Sequence, residues 1–195
     1  MLKAVIFDLN GVFILSPKLS DRFEADFQVP SSIFLPALNQ IMEKVRAPDA
    51  GSAFSYWKSF LTEWGVTLSE KEFWNYWFGA ESPSEDMITV ARSLKEKGLK
   101  IITLSNNFKE RAEFYGHYPW MSGLMDKTYF SWETGFVKPN PEAWKKVLSD
   151  FSLTAENVVY FDDQEKNLEA ARSIGIEAYM FTTPKEAMAL IQKRL

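Results

Sequence analysis

Four short clusters along the chain carry side chains suited to chemistry on an anion. Asp8 ends the apolar run Ala4-Val5-Ile6-Phe7 and opens Asp8-Leu9-Asn10-Gly11-Val12. Ser105-Asn106-Asn107 follows Lys100-Ile101-Ile102-Thr103-Leu104, and Lys138-Pro139-Asn140-Pro141 leads into a helical pattern. Asp162-Asp163-Gln164 follows Val158-Val159-Tyr160-Phe161, with Asn167 one turn further on. A carboxylate such as Asp8 can act as a nucleophile. Asp8, a neighbouring backbone carbonyl and Asp163 form an oxygen donor set suited to Mg²⁺, which shields a nucleophile from an anionic substrate. Ser105 and the amides beside it can donate to transferring phosphoryl oxygens, and Lys138 adds positive charge. Gly11 lets the chain leave the strand sharply beside a ligand.

Taken singly, each cluster has a plainer reading. An Asp after a strand, or the pair Asp162-Asp163, caps the helix that follows. Ser-Asn after a strand is a turn, and a lone Lys is a solvated surface residue. Their order along the chain favours one site, because reactive groups in an open parallel sheet gather at the carboxyl ends of its strands.

The elements that position them are legible. From about residue 84 onward, β-type runs at 100–104, 127–130, 158–161 and 177–181 alternate with amphipathic helices near 85–97, 108–117, 141–151, 165–174 and 184–194. Pro141 and Pro184 suit first helical turns, and Gly98 and Gly175 suit helix stops. This alternation predicts an α/β, Rossmann-like parallel sheet with helices on both faces, and Ala4–Phe7 as a central strand covered on both sides. Residues 15–83 break the rhythm: they hold no convincing strand and predict three or four helices forming a small α-helical cap. The expected division is a core of 1–14 and 84–195 with a cap of 15–83, hinged at its two connections. Ten aromatics between Phe54 and Phe78 are expected to form most of the cap core, the remainder facing the active site as a partly apolar lining.

Composition narrows the function classes. The 195 residues suffice for one such domain with an insertion. A net charge of -4 without a basic run argues against nucleic acid or an anionic membrane surface as partner. The absence of cysteine removes disulfides, thiolate metal sites and thiol nucleophiles, and fits a reducing compartment. No apolar stretch is long enough to span a membrane or form a signal-peptide core, so a soluble, cytoplasmic protein is expected.

The ordered set resembles the haloacid dehalogenase (HAD) superfamily over essentially the whole chain. Phe7-Asp8-Leu9-Asn10-Gly11-Val12 resembles its first motif, Leu104-Ser105-Asn106 its second, Gly135-Phe136-Val137-Lys138-Pro139-Asn140-Pro141 its third and Phe161-Asp162-Asp163 its fourth. The resemblance implies a helical cap inserted after the first motif and Mg²⁺-dependent hydrolysis of a small-molecule phosphomonoester through an aspartyl-phosphate. It implies Asp8, residue 10 and Lys138 as catalytic groups, and Ser105, Asn106 and Lys138 around the phosphate. The metal would lie on Asp8, the Asn10 carbonyl and Asp163, with Asp162 in or near its second shell.

Residue 10 departs from the pattern. The family's phosphatases place there an Asp that protonates the leaving group and then activates water, whereas Asn10 cannot exchange a proton at neutral pH. General acid–base catalysis contributes roughly 10²–10⁴-fold, so a weakened or non-catalytic phospho-ligand-binding member is one alternative. A metal-independent dehalogenase is the other, since halide leaves without a proton. Such enzymes use an arginine early in the cap, where Arg22 is the nearest candidate and otherwise reads as a solvated surface residue. His117, the sole histidine, lies away from the four clusters and is expected to be structural.

Overall fold

Five short apolar runs become five strands of one parallel sheet. The structure, a computed structural model, describes residues 1–195. It opens with β1 (Ala4–Phe7), a two-residue β2 (Ile14–Leu15) and helices α1 (Leu19–Phe27), α2 (Ser31–Val45), α3 (Ala53–Glu63) and α4 (Glu70–Phe78). After β3 (Ser82–Pro83) come α5 (Glu85–Glu96), β4 (Lys100–Ser105), α6 (Lys109–Tyr115), α7 (Pro119–Leu124), β5 (Lys127–Phe130) and α8 (Ser131–Thr134). The chain ends with α9 (Glu142–Asp150), β6 (Val158–Asp162), α10 (Glu165–Ser173), β7 (Glu177–Met180) and α11 (Pro184–Gln192). The sheet order is β5-β4-β1-β6-β7.

β1 sits at the centre, pairing with β4 on one side and β6 on the other, so that Phe7 lies between Thr103 and Phe161. Its four residues are all buried. Val5 and Phe7 face one apolar cluster with Met87, Ile88 and Leu94 of α5 and Ile191 of α11. Ala4 and Ile6 face the other, with Trp144 and Val147 of α9 and Leu168 of α10. That alternation is the period-two geometry of a strand covered on both faces. Because β1 ends one residue before Asp8, in step with β4 and β6, the register places all three strand-end clusters on one edge of the sheet.

Helix ends follow local chemistry. Ser69 and Glu72 make a reciprocal capping box on α4. Thr183 caps α11, whose first turn begins with Pro184. Gly98, at φ +84°, follows α5 in a left-handed conformation that stops it. Pro141 caps α9 rather than lying inside it, and the segment after Tyr115 breaks into the unforeseen α7.

The four helices α1 to α4 pack around their own aromatic cluster, centred on the fully buried Phe23, Phe34, Trp57 and Phe73. Two details differ from expectation. The insertion does contain strand: Ile14 pairs with Pro83 and Leu15 with Ser82, an antiparallel ribbon where the chain leaves and returns. The cap cluster is also not self-contained, because Phe108, from the loop after β4, packs its ring 5.4 Å from that of Trp77 and 5.7 Å from that of Trp74. No helix is long and apolar enough to cross a membrane.

Candidate active site

A cleft of about 840 Å³ opens between the strand ends and α2. Its sheet side carries Asp8, Asn10, Ser105, Asn106, Lys138 and Asp163; its cap side carries Asn39, Met42, Glu43 and Arg46. The structure therefore gathers the residues singled out from sequence into one wall, with Asp162 directly beneath.

Lys138, 3% exposed, bridges two carboxylates: its Nζ lies 3.0 Å from Asp8 Oδ1 and 2.6 Å from Asp162 Oδ2. It also donates to the Tyr160 hydroxyl at 3.1 Å. Asp162 is saturated, accepting in addition from the Tyr160 hydroxyl, the Gln164 backbone N–H and Asn167 Nδ2. A buried carboxylate so occupied holds Lys138 in place and has little lone-pair capacity left over.

Asp8 accepts the Leu9 N–H at 2.7 Å. Burial pushes its carboxyl up to about 6; the Lys138 charge opposes that shift and the Asp162 charge adds to it. Asp163 is also raised, first by burial and then by the charge of Asp162. Oxygens of Asp8, Asp162 and Asp163 all lie within 4.8 Å of one another. Gly11, at φ +82°, makes this approach possible, since a Cβ there would stand 2.7 Å from Asp163 Oδ2. Crowded carboxylates with raised protonation are the environment that a divalent cation relieves, and all-oxygen donors suit Mg²⁺. The residues present fit the ion.

Two candidates take on different work from that expected. Asn106 accepts the Lys138 N–H and donates to the Lys138 carbonyl, each at 2.7 Å. Its side-chain amide thus clamps the lysine loop, leaving only its backbone N–H for a phosphate. Arg22 is not a free surface residue: it donates to the Tyr76 and Trp77 carbonyls at the end of α4 and stacks on the Tyr76 ring at 4.1 Å. His117 is exposed and does not line the cleft. None of the cap aromatics lines the cleft, whose apolar residues are Met42, Val137 and Pro139.

Of the groups around Asn10, the sequence signalled Ser105 and Asn107 but gave no sign of Tyr115, Glu81 or Arg111. Its Oδ1 accepts from Asn107 Nδ2 at 3.2 Å and Ser105 Oγ at 3.4 Å. Its Nδ2 donates to the Tyr115 hydroxyl, which donates to the buried Glu81. Glu81 is ion-paired with Arg111, and Arg111 reaches Ser16 beyond β2. Arg46, the cap's cation in the cleft, was likewise missed; burial and the Arg111 charge lower its proton affinity while the Asp8 charge raises it.

Comparison with known proteins identifies the family. A family model described as haloacid dehalogenase-like hydrolase matches residues 2–175. The mouse protein "Acyl-CoA dehydrogenase family member 10" is 26% identical over 210 residues, which is 99% of this chain but 19% of that protein. Among solved structures, a HAD-family enzyme of Bacteroides thetaiotaomicron superposes with a TM-score of 0.80 at 22% identity, covering 97% of this chain and 98% of the other. The same enzyme has been crystallised with magnesium and inorganic phosphate. An L-2-haloacid dehalogenase superposes at 0.75 with 16% identity, covering 98% and 99%. With a family model spanning most of its length, a parallel sheet of this order and its acidic strand ends in one cleft, the chain belongs to the haloacid dehalogenase-like hydrolases.

Proposed function

We propose that this hydrolase cleaves a small-molecule phosphate by way of an aspartyl-phosphate on Asp8. The observation that carries the reading is the convergence of Asp8, Asp162 and Asp163 at adjacent strand ends, with Lys138 joining two of them. Asp8, the Asn10 carbonyl and Asp163 would hold Mg²⁺. The ion, when bound, neutralises charge on the nucleophile and the phosphoryl group. Lys138 holds Asp8 deprotonated and oriented, and Ser105 with the Asn106 N–H receives the phosphoryl oxygens. Residue 10 contributes an oriented amide, but no proton for an alkoxide and no base for water.

In this reading 1–14 with 84–195 forms the catalytic core and 15–83 the cap. A reducing, cytoplasmic setting belongs to it as well, supported by the lack of cysteine. The test is a panel of phosphate substrates assayed with Mg²⁺ and with EDTA, on the parent and on Asp8→Asn. Turnover that needs both Mg²⁺ and Asp8 supports the proposal. A metal-free dehalogenase, the second reading, is favoured by a cap arginine in the cleft and disfavoured by Asp163 crowding Asp8; it predicts halide release in EDTA. A non-catalytic binder would retain phosphate without turnover.

A further inference from the structure

Arg46 is the cation of the cap wall, and it has no partner. It is the C-cap residue of α2, half-buried, and lines the same cleft as Asp8. Its Nε is closed off from solvent without a hydrogen bond, and the guanidinium forms no ion pair. The other buried cations here are occupied: Arg111 by Glu81 and Ser16, Lys138 by Asp8 and Asp162. A shielded donor left without an acceptor costs free energy, so an acceptor is expected in the working state.

Reaction geometry says which acceptor. Displacement at phosphorus is in line. Asp8 attacks from the strand ends, so the leaving oxygen departs on the opposite side, where the wall is α2 with Asn39, Met42, Glu43 and Arg46. Asn10 has no proton to give that oxygen.

Resting on the aspartyl-phosphate reading above, we propose that the leaving group departs as a stable oxyanion held by Arg46, making the substrate an acyl phosphate or a phosphoanhydride rather than an alkyl phosphate. The Asp8 oxygen forms a bond to phosphorus while the bond from phosphorus to the leaving oxygen breaks. The electron pair stays on that oxygen, which leaves as a carboxylate or a phosphate without needing protonation. Water then attacks the aspartyl-phosphate, the electron pair returns to the Asp8 carboxylate, and both water protons pass to the released phosphate or to solvent. The polar walls of the cleft suit a charged leaving group.

The experiment compares kcat/KM for acetyl phosphate, inorganic pyrophosphate and glycerol 2-phosphate in Mg²⁺. The variants are Arg46→Met, Arg46→Lys, Glu43→Gln and Asp8→Asn, with p-nitrophenyl phosphate as reference. One of the first two substrates should exceed glycerol 2-phosphate by roughly 10²-fold or more, the cost of a missing general acid. Which one does so distinguishes carboxylate from phosphate as the leaving group. Arg46→Met should cut that favoured activity by roughly 10²–10³-fold, as loss of an oxyanion donor does. It should affect p-nitrophenyl phosphate less, because the departing charge spreads into its ring, and Arg46→Lys should recover part of the loss. The proposal is overturned if glycerol 2-phosphate is turned over equally well, or if Arg46→Met slows every substrate by one common factor. It is also overturned if Glu43→Gln, and not Arg46→Met, selectively removes activity, since Glu43 would then be the acid. Asp8-dependent turnover without the preference rejects the proposed substrate class together with the role of Arg46 and leaves the aspartyl-phosphate reading standing; no Asp8-dependent turnover of any substrate rejects that wider reading.

Discussion

Asn10 Nδ2 donates to the Tyr115 hydroxyl at 2.6 Å, and that hydroxyl donates its proton to Glu81 at 2.7 Å. A phenol has one proton, so the group facing Tyr115 from residue 10 must itself be a donor. An amide meets that demand and an ionised carboxylate does not. Position 10 is thus matched on one side to Tyr115 and on the other to two donors, Ser105 and Asn107.

Asn10→Asp should therefore do two opposed things. Turnover of alkyl esters should rise by roughly 10²–10⁴-fold, because the acid and base are restored. Stability at neutral pH should fall by about 1–3 kcal/mol, because two carboxylates compete for one phenol proton. Steady-state kinetics and urea denaturation measure the two separately. Unchanged turnover on both alkyl and activated esters contradicts the missing-acid account, and unchanged stability contradicts the proton assignment at Tyr115.

The junction between cap and sheet domain runs through Phe108, which is buried against Trp74, Trp77 and Phe78 of α4. Opening the cleft must leave this contact closed, so the α2 side should swing while the α4 side acts as pivot. Phe108→Ala should cost about 3–5 kcal/mol by emptying a packed aromatic site. Hydrogen exchange on binding a phosphate mimic should change along α2 and the ribbon β2/β3 more than along α4. A uniform response of the four cap helices would contradict the pivot.

Lys138 stands between Asp8 and Asp162 with almost no exposure. Lys138→Met should destabilise the protein by about 3–5 kcal/mol, the cost of stranding a buried charge. Asp162→Asn made in the Lys138→Met background should restore part of that loss. A double variant no more stable than Lys138→Met would contradict this partnership.

The pH dependence of the metal-free protein follows from Asp8. Its carboxyl ionises at 3.8 when exposed and at about 6 in the fold, chiefly through burial. Between those values the folded form holds the extra proton, so this group's contribution to stability declines as pH rises through the window and levels off above it. Asp163 acts in the same direction and Asp162, whose carboxyl is lowered, in the opposite one. Melting in EDTA should therefore decline more steeply across that window for the parent than for Asp8→Asn, and Mg²⁺ should remove the difference because bound metal displaces the proton. Parallel profiles of the two proteins in EDTA would contradict the raised Asp8.

Much of this site was legible because apolar runs ending in Asp8, Ser105 and Asp162 mark where buried strands stop, and parallel pairing aligns those stops. Groups recruited from a distance were not. Tyr115, Glu81 and Arg111 meet through tertiary packing that no periodicity encodes, and Arg46 resembles any basic residue near a helix end. The ribbon of Ile14–Leu15 with Ser82–Pro83 is too short to show alternation. The cap aromatics between Phe54 and Phe78 pack on one another, with Trp57, Phe73, Trp77 and Phe78 buried and the rest half-buried, and none reaches the cleft, whose cap wall is formed by α2 and Arg46.

The most direct test of the central claim is intact-protein mass spectrometry after mixing the parent with p-nitrophenyl phosphate or acetyl phosphate in Mg²⁺, beside rapid measurement of product release. The account predicts a burst near one product per enzyme, with one phosphoryl group appearing on Asp8 at the same rate. That adduct should be absent in Asp8→Asn or EDTA, and should not accumulate in Asn10→Asp. Turnover of either substrate with no phosphoryl group ever found on Asp8 would contradict it.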